Sequence, residues 1–365
     1  MKLIIQPGAG TAPLVKAIKK AKKSIEIVIF RFDQTEIEKA LIDAVERGIF
    51  VHALIAFTNR GGEETLRKLE MRFLAKGITV ARTAADLVRY HGKMMLVDRK
   101  ELFILAYNFT HLDTDRSRSF GIATKNRELV QEGARLFDCD TKRQVYKPQC
   151  ARFIVSPANA RQQLAAFIKG AKRELLIYDL KISDRAMLRV LEERFRAGVQ
   201  IRVIGEVTRN KEFPVRRLQG LRLHARLIIR DRKSAFLGSQ SLRKLELDER
   251  REVGIIVGGT KVVSPLIAVF KEDWRTSVPR NPEHRQVALQ VREKAARKVA
   301  KAVAKKLPVA PVIKQMVQVM DKQANFPVKH KTIKKAVEAE VKSALKKAVK
   351  KAATRVVNKS AGNEL

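Results

Sequence analysis

Cysteine is scarce in this chain of 365 residues, which contains only Cys139 and Cys150. The two thiols do not form a Cys-x-x-Cys pair and have no histidine pair nearby, so we expect no metal site. Nothing in the sequence calls for a cofactor. So few cysteines are compatible with a reducing compartment.

Long apolar runs are also missing. Nowhere do about 18 uncharged apolar residues follow one another, so no transmembrane helix is expected. The first apolar run, residues 3–5, is too short for a secretory signal. We therefore expect a cytoplasmic protein whose contact with any membrane is peripheral.

Acidic and aromatic residues are few. Lys and Arg number 76 against 38 Asp and Glu, which gives a formal net charge of +38. Such a charge favours partners that carry phosphate, namely nucleic acid, anionic lipid or polyphosphate, without choosing among them. Aromatic residues make up 6% and do not alternate with basic ones, which argues against base stacking. Hydrophobic residues, at 45%, suffice for a full core.

One motif occurs twice. Residues 91–98 read His-Gly-Lys-Met-Met-Leu-Val-Asp, and residues 224–231, 133 positions later, read His-Ala-Arg-Leu-Ile-Ile-Arg-Asp. Both segments have the form His-x-basic-x4-Asp, and in both the Asp is followed by Arg-Lys. Two copies in register are much harder to attribute to chance than one.

The spacing of the motif can support chemistry on phosphate. The apolar runs inside it predict strands, on which residues two apart point to the same face. His91 and Lys93 therefore project together, as do His224 and Arg226. Two such pairs would supply two imidazoles, for attack on phosphorus and for protonation of the leaving oxygen, and two cations for the remaining oxygens. Asp98 and Asp231 face the other way, which suits a structural role or the orientation of the other copy's histidine.

The motif lies inside a larger repeat. Short β-prone runs alternate with amphipathic segments from about residue 3 to residue 274, and the order of these segments recurs after residue 150. This alternation predicts an α/β sandwich built twice, with halves at residues 1–146 and 147–279. A short segment near Arg216 is predicted to be helical.

From about Arg280 the composition changes. Residues 280–365 contain 22 Lys and Arg against 6 Asp and Glu. Apolar residues recur there at four-residue spacing, from Val287 to Val303 and from Val337 to Val349. The pattern predicts a tail of basic amphipathic helices that binds an anionic membrane surface or nucleic acid.

At the paired motifs the chain resembles the phospholipase D superfamily, including its cardiolipin synthase-like members. The signature of that superfamily is a duplicated His-x-Lys-x4-Asp followed by Gly-Ser and then Asn. The resemblance covers roughly residues 1–276. It implies two α/β/α halves around a pseudo-twofold axis, one shared active site within a monomer, no metal, and a reaction through a phosphohistidine.

The resemblance also implies roles for individual residues. His91 would be the nucleophile and His224 the general acid, while Lys93 and Arg226 would hold phosphate oxygens. The helper and orienting residues would be Asn108 and Ser239 beside the phosphate, Asp98 and Asp231 orienting the histidines, and Glu252 paired with a motif histidine. Asp113 and Asp115 are interpreted as loop acids.

Three departures from the signature bear on activity. Arg226 replaces the second Lys, which keeps the charge but substitutes a planar fork for a point charge. Leu105-Ala106 stand where Gly-Ser is expected, and Ser241 stands where Asn is expected. Ser119 occupies the first-half position that matches Glu252.

Three functions therefore stay open. The leading hypothesis is a phosphodiesterase or phosphatidyltransferase that acts on phospholipid. The second is a metal-independent nuclease of the same superfamily, favoured by the positive charge. The third is a non-catalytic relic that binds nucleic acid or an anionic membrane.

Overall fold

The structure, a computed structural model, describes residues 1–58, 63–208 and 212–280, together with the isolated positions 315, 340 and 343. Residues 1–280 form one unit, and both sequence repeats lie within it. The basic tail predicted over residues 280–365 lies, apart from Arg280 and those three positions, outside the described residues.

The first half contains the elements β1 (Lys2–Gln6), α1 (Ala12–Lys20), β2 (Ser24–Ile29), α2 (Thr35–Glu46), β3 (Phe50–Ile55), α3 (Glu64–Ala75), β4 (Thr79–Arg82), β5 (Arg89–Tyr90), β6 (Met94–Val97), β7 (Glu101–Leu105), α4 (His111–Asp115), β8 (Ser117–Thr124) and α5 (Arg127–Lys142).

The second half contains β9 (Phe153–Val155), α6 (Ala160–Lys169), β10 (Glu174–Ile182), α7 (Arg185–Arg196), β11 (Gln200–Val207), β12 (Val215–Arg217), β13 (Arg222–Leu223), β14 (Leu227–Arg230), β15 (Ser234–Gly238), α8 (Lys244–Asp248), β16 (Arg250–Arg251), β17 (Val253–Gly258), α9 (Thr260–Thr276) and β18 (Val278–Pro279). Within the described ranges, no helix has the length and apolar character needed to span a bilayer.

The two halves build sheets with the same strand order. The first sheet runs β1-β8-β7-β6-β2-β3-β4, and the second runs β9-β17-β15-β14-β10-β11-β12 with β18 at its edge. In the first, β2, β3 and β4 are parallel and β6 joins them antiparallel; β10, β11, β12 and β14 repeat this. The predicted duplicated α/β fold is therefore confirmed.

One local prediction is wrong. The segment around Arg216, predicted to be helical, is strand β12, which pairs with β11 on one side and with β18 on the other. Backbone pairing with two neighbours outweighs a local helical signal of only a few residues.

The central strands are buried on both faces, as in sheets covered by other layers on each side. Along β6, Met94 and Leu96 belong to a hydrophobic cluster that both halves share, whereas Met95 and Val97 belong to the cluster under the outer helices of the first half. Residues of α5 and α9 also lie in the shared cluster. The shared core therefore joins the two halves.

Short parallel strand pairs also connect the halves. In β5 and β16, Arg89 pairs with Arg250 and Tyr90 with Arg251; in β13 and β8, Arg222 pairs with Ser117 and Leu223 with Arg118. The two sets are equivalent, since each residue of one set lies 133 positions from its counterpart in the other. A motif histidine directly follows each lead-in strand, β5 or β13, so the crossing places both motifs at the junction.

Two equivalent ion pairs bridge the same junction. Arg118 of the first half contacts Asp273 of the second at 2.7 Å, and Arg251 of the second contacts Asp140 of the first at 3.1 Å. Both aspartates are buried. Because removing one partner would leave a buried charge, these pairs restrain the relative placement of the halves that the site requires.

The Asp-Arg-Lys tripeptide after each motif forms a hairpin turn. Asp98 and Arg99 have φ of 54° and 49°, and Asp231 and Arg232 have φ of 53° and 58°. The amide of Lys100 donates to the carbonyl of Val97 at 2.9 Å. Two successive positive φ angles are typical of the tight turns that join adjacent antiparallel strands.

The predicted orientation of the motif histidines by Asp98 and Asp231 is wrong. The carboxylate of Asp98 accepts hydrogen bonds from the backbone amides of residues 22–24, and that of Asp231 from those of residues 172–174. Asp98 is separated from His91 by the whole of β6, about 13 Å of strand. Each motif aspartate therefore has the structural role that the strand geometry also allowed, holding the start of β2 or β10.

We expect Asp98→Ala to lower the free energy of unfolding by about 1–2 kcal/mol, as loss of a helix N-cap does, because three backbone amides lose one acceptor. Activity below the unfolding transition should be unchanged. Asp231→Ala is the matched variant and should behave alike. Urea unfolding together with a phosphodiesterase assay checks this; a large loss of activity in a stably folded variant would contradict the structural role.

Candidate active site

The two motif histidines lie at the junction of the halves. The amide of His91 donates to the carbonyl of Arg251 at 2.7 Å, and the amide of His224 donates to the carbonyl of Arg118 at 3.1 Å. Each histidine is thus anchored to the opposite half. The charges of Lys93 and Arg226 lower the pKa of both imidazoles, which places both pairs within electrostatic reach of one another.

His91 is buried and held by a carboxylate of the second half. Its Nδ1 lies 2.8 Å from Oε2 of Glu252. Because a carboxylate accepts, Nδ1 carries the proton and Nε2 keeps its lone pair. Burial, reinforced by the charge of Lys93, holds the pKa of His91 well below its ordinary value. His91 is therefore neutral at physiological pH, with a nucleophilic nitrogen.

His224 is held by a carboxylate of the first half. Its Nδ1 lies 3.1 Å from Oδ2 of Asp113, which follows the first residues of α4. Burial lowers the pKa of His224 to about 4, although Asp113 opposes the shift. Although burial acts in the other direction, contact with His224 and the amide of Asn108 lowers the pKa of Asp113 below its ordinary value. Asp113 is therefore an ionised partner that stabilises an imidazolium at His224.

The interpretation of Asp113 as a loop acid is wrong; Asp115, by contrast, is exposed beside His111. Asp113 is 1% exposed and receives hydrogen bonds from the backbone and side-chain amides of Asn108, both at 2.7 Å. A signal for it existed. Glu246 lies 133 positions later and accepts the amide of Ser241 at 2.7 Å, just as Asp113 accepts that of Asn108.

The site contains two buried cations. Lys93 is fully buried, and its Nζ lies 2.8 and 2.9 Å from the ring nitrogens of His91. Burial lowers the pKa of Lys93 to about 7. Arg226 is 4% exposed, and its Nε and Nη1 are buried without a hydrogen-bond partner among the described residues. Unpaired guanidinium donors in a buried position are suited to the oxygens of an anion.

Asn108 and Ser239 support the acids of the site. Asn108 binds Asp113 as described, and Ser239 accepts the amide of Val253 at 3.0 Å. The Ser239 hydroxyl also lowers the pKa of Glu252, although burial leaves that pKa raised overall. Direct contact of Asn108 or Ser239 with substrate stays a prediction.

Sequence reasoning also missed Phe30, which follows β2. Its ring packs edge-on against the imidazole of His91, with ring centres 4.5 Å apart. Nothing in a lone phenylalanine after a strand marks it as part of a site. As for metal, the described part of the chain contains no cluster of three or more His, Cys, Asp or Glu that could hold an ion.

Comparison with known proteins gives a consistent result. A family model described as "Cardiolipin synthase, PLD-like domain" matches residues 14–141 and 164–274. A phospholipase D of Rickettsia prowazekii (strain Madrid E) is 27% identical over 126 residues, which are 34% of this chain and 59% of that protein.

Two solved structures share the fold. A polyphosphate kinase of Porphyromonas gingivalis superposes with a TM-score of 0.63 at 19% identity, covering 74% of this chain and 49% of that one. A phosphatidylserine synthase of Haemophilus influenzae Rd KW20 superposes with a TM-score of 0.58 at 10% identity, covering 79% and 92%. The chain spans less than two thirds of the phospholipase and of the polyphosphate kinase.

The two ranges matched by the family model together cover more than half of the chain. Each range contains one copy of the repeated motif and most strands of one sheet. The chain therefore belongs to the phospholipase D superfamily, in the family described as "Cardiolipin synthase, PLD-like domain".

Proposed function

We propose that this protein cleaves phosphodiester bonds through a phosphohistidine at His91, with phospholipid as its leading substrate class. One observation carries the proposal: two imidazoles, each with Nδ1 against a carboxylate of the opposite half, share a buried site with two cations. This arrangement supplies a nucleophile, an acid and charge stabilisation for one phosphorus atom.

In the first step, the lone pair of His91 Nε2 forms a bond to phosphorus while the bond from phosphorus to the leaving oxygen breaks. That oxygen takes a proton from Nε2 of His224. The negative charge of a bound phosphodiester favours the imidazolium form of His224, as does Asp113. Lys93 and Arg226 neutralise the charge that develops on the non-bridging oxygens.

In the second step, neutral His224 accepts a proton from water or from an alcohol. The oxygen of that molecule bonds to phosphorus as the N–P bond breaks, and His91 recovers its lone pair. Water gives hydrolysis, and an alcohol gives transfer. Glu252 keeps the proton of His91 on Nδ1 in both steps, so Nε2 stays available.

Two observations support phospholipid over other phosphodiesters. A phospholipase D and a phosphatidylserine synthase are among the proteins that this chain resembles. Phe50 is the one aromatic among the strongly exposed large hydrophobic residues in the described ranges, and it begins β3, at the edge of the sheet opposite the site. Platforms for stacking bases are thus lacking around the described site. We propose that the basic segment at residues 280–365 attaches the protein peripherally to anionic lipid.

The test is a substrate panel. Phosphatidylglycerol and phosphatidylcholine vesicles, single-stranded DNA and double-stranded DNA are each incubated with the wild type and with His91→Ala. We expect the wild type to release head group from vesicles and His91→Ala to release none. Untouched lipid with both proteins would refute the lipid assignment.

The alternative function is that of a nuclease, and the formal net charge of +38 favours it. Release of nucleotides by the wild type with intact lipid would establish it. Binding of lipid or DNA without any product, unchanged in His91→Ala, would instead indicate a non-catalytic relic.

The pH dependence tests the role of Lys93. Because the pKa of Lys93 is lowered to about 7, its charge is present below that pH and is lost above it. We expect the slope of log kcat/KM against pH to become more negative by one unit above about pH 7. Lys93→Arg, which stays charged, should remove this break, and Arg226→Lys should add a second one. An identical profile in all three proteins would mean that Lys93 does not titrate in the reaction.

A further inference from the structure

Three cations surround the ring of Phe30. Nζ of Lys93 lies 5.3 Å from the ring centre, and the guanidinium carbons of Arg89 and Arg31 lie at 5.6 and 5.9 Å. The same ring contacts the imidazole of His91. A fixed apolar surface therefore gathers three positive charges beside the proposed nucleophile.

The two arginines are outside the position of the reacting phosphate. Lys93 is fully buried against His91, whereas Arg31 and Arg89 are half-buried. Arg31 forms no ion pair with an acidic residue in the described part of the chain. Cation–π contact is worth about 0.5–2 kcal/mol, and three like charges on one ring repel one another. Charge of the opposite sign would relieve that repulsion.

We propose that Arg31 and Arg89 form a second phosphate subsite beside His91, and that the substrate is a diphosphate whose second phosphate is the leaving group. This inference rests on the proposed function and specifies its substrate class. The N–P bond to His91 forms as the bond from the reacting phosphorus to the bridging oxygen breaks. The second phosphate departs with that electron pair and is held by the two arginines.

The environment of His224 agrees with such a leaving group. Burial lowers the pKa of His224 to about 4, so few molecules carry the imidazolium at neutral pH before substrate binds. A departing phosphate needs less protonation than a departing alkoxide, because phosphate is the weaker base. Phe30 itself is 3% exposed, so its ring is covered and does not offer a face to a nucleobase.

Equilibrium binding tests the subsite independently of turnover. Calorimetry compares inorganic pyrophosphate with orthophosphate, using the wild type, Arg31→Ala, Arg89→Ala and the control Arg127→Ala, an exposed arginine that begins α5. Charge-assisted hydrogen bonds predict that the wild type binds pyrophosphate at least about tenfold more tightly than orthophosphate. Arg31→Ala and Arg89→Ala should remove this preference but leave orthophosphate affinity within about twofold, since neither side chain reaches the first phosphate. Arg127→Ala should change neither.

Retained orthophosphate binding also shows that a variant is folded. Equal affinities of the wild type for the two ligands, or equal losses for both ligands in the variants, would overturn the subsite while leaving the proposed reaction intact. Trithymidylate forms a further arm. If it loses more affinity than pyrophosphate in Arg31→Ala, the arginines hold a nucleic-acid backbone and the diphosphate assignment is wrong. Failure of the substrate panel with a preserved pyrophosphate preference would reject the reaction alone.

Discussion

His91→Ala should reduce turnover of any accepted phosphodiester by about 10⁶-fold, the scale seen when an enzyme loses its covalent nucleophile. His224→Ala should behave differently with a substrate whose leaving group needs no proton, such as a 4-nitrophenyl phosphodiester. The first step then proceeds, but no base activates water for the second. We expect one equivalent of 4-nitrophenolate per protein, followed by arrest.

The arrested protein carries the diagnostic. Acid-labile phosphate on His91 in His224→Ala, located by mass spectrometry after digestion at alkaline pH, would support the assigned roles. Label on His224 in His91→Ala would reverse them. His111→Ala is a suitable control, since that histidine is exposed beside Asp115 and should leave the burst and the steady state unchanged.

Much of the fold could be predicted from the sequence, because the information is local. The runs at residues 94–97 and 227–229 are too short for helices and too apolar for loops, and both are strands or parts of strands. The repeat at 133 positions predicted two equivalent halves, and both sheets have the same strand order. β12 was missed because its conformation depends on pairing with β11 and β18, which a local pattern does not contain.

The acids of the site were harder to predict, because their roles depend on contacts between the halves. Asp98 belongs to the motif but lies at the far end of β6, where it binds the backbone before β2. Asp113 is outside the motif but reaches His224 across the junction. The repeat pairs Asp113 with Glu246 and Ser119 with Glu252, so the acids that hold the two histidines come from positions that are not equivalent. That asymmetry breaks the repeat.

The asymmetry has a chemical consequence. Glu252 contacts the histidine that must stay neutral, and burial raises the pKa of Glu252. Asp113 contacts the histidine that must accept and release protons, and its own pKa is lowered. An ionised partner stabilises an imidazolium better than a carboxyl group whose charge is suppressed. The two halves are therefore specialised: the first carries the nucleophile, and the second carries the acid.

Asp113→Asn should lower kcat for phosphodiesters with alkyl leaving groups by about 10²–10⁴-fold, the range of general acid–base catalysis. Asparagine keeps the size of the side chain but removes the charge that raises the pKa of His224. Glu252→Gln is the matched variant at the other histidine. It should slow attack by His91 whatever the leaving group, because the ring of His91 loses its orienting acceptor.

The leaving group separates catalysis from a merely structural role. With Asp113→Asn, release of 4-nitrophenolate in a single turnover should stay near the wild-type rate, since that step needs no proton from His224. Release of an alkyl alcohol should show the full loss. Equal losses for both leaving groups, with a lowered thermal midpoint, would mean that Asp113 only holds α4 and the chain around Asn108 in place. Because Glu252→Gln should give equal losses without that drop in thermal midpoint, the pair of variants distinguishes acid from nucleophile at a site where both are histidines.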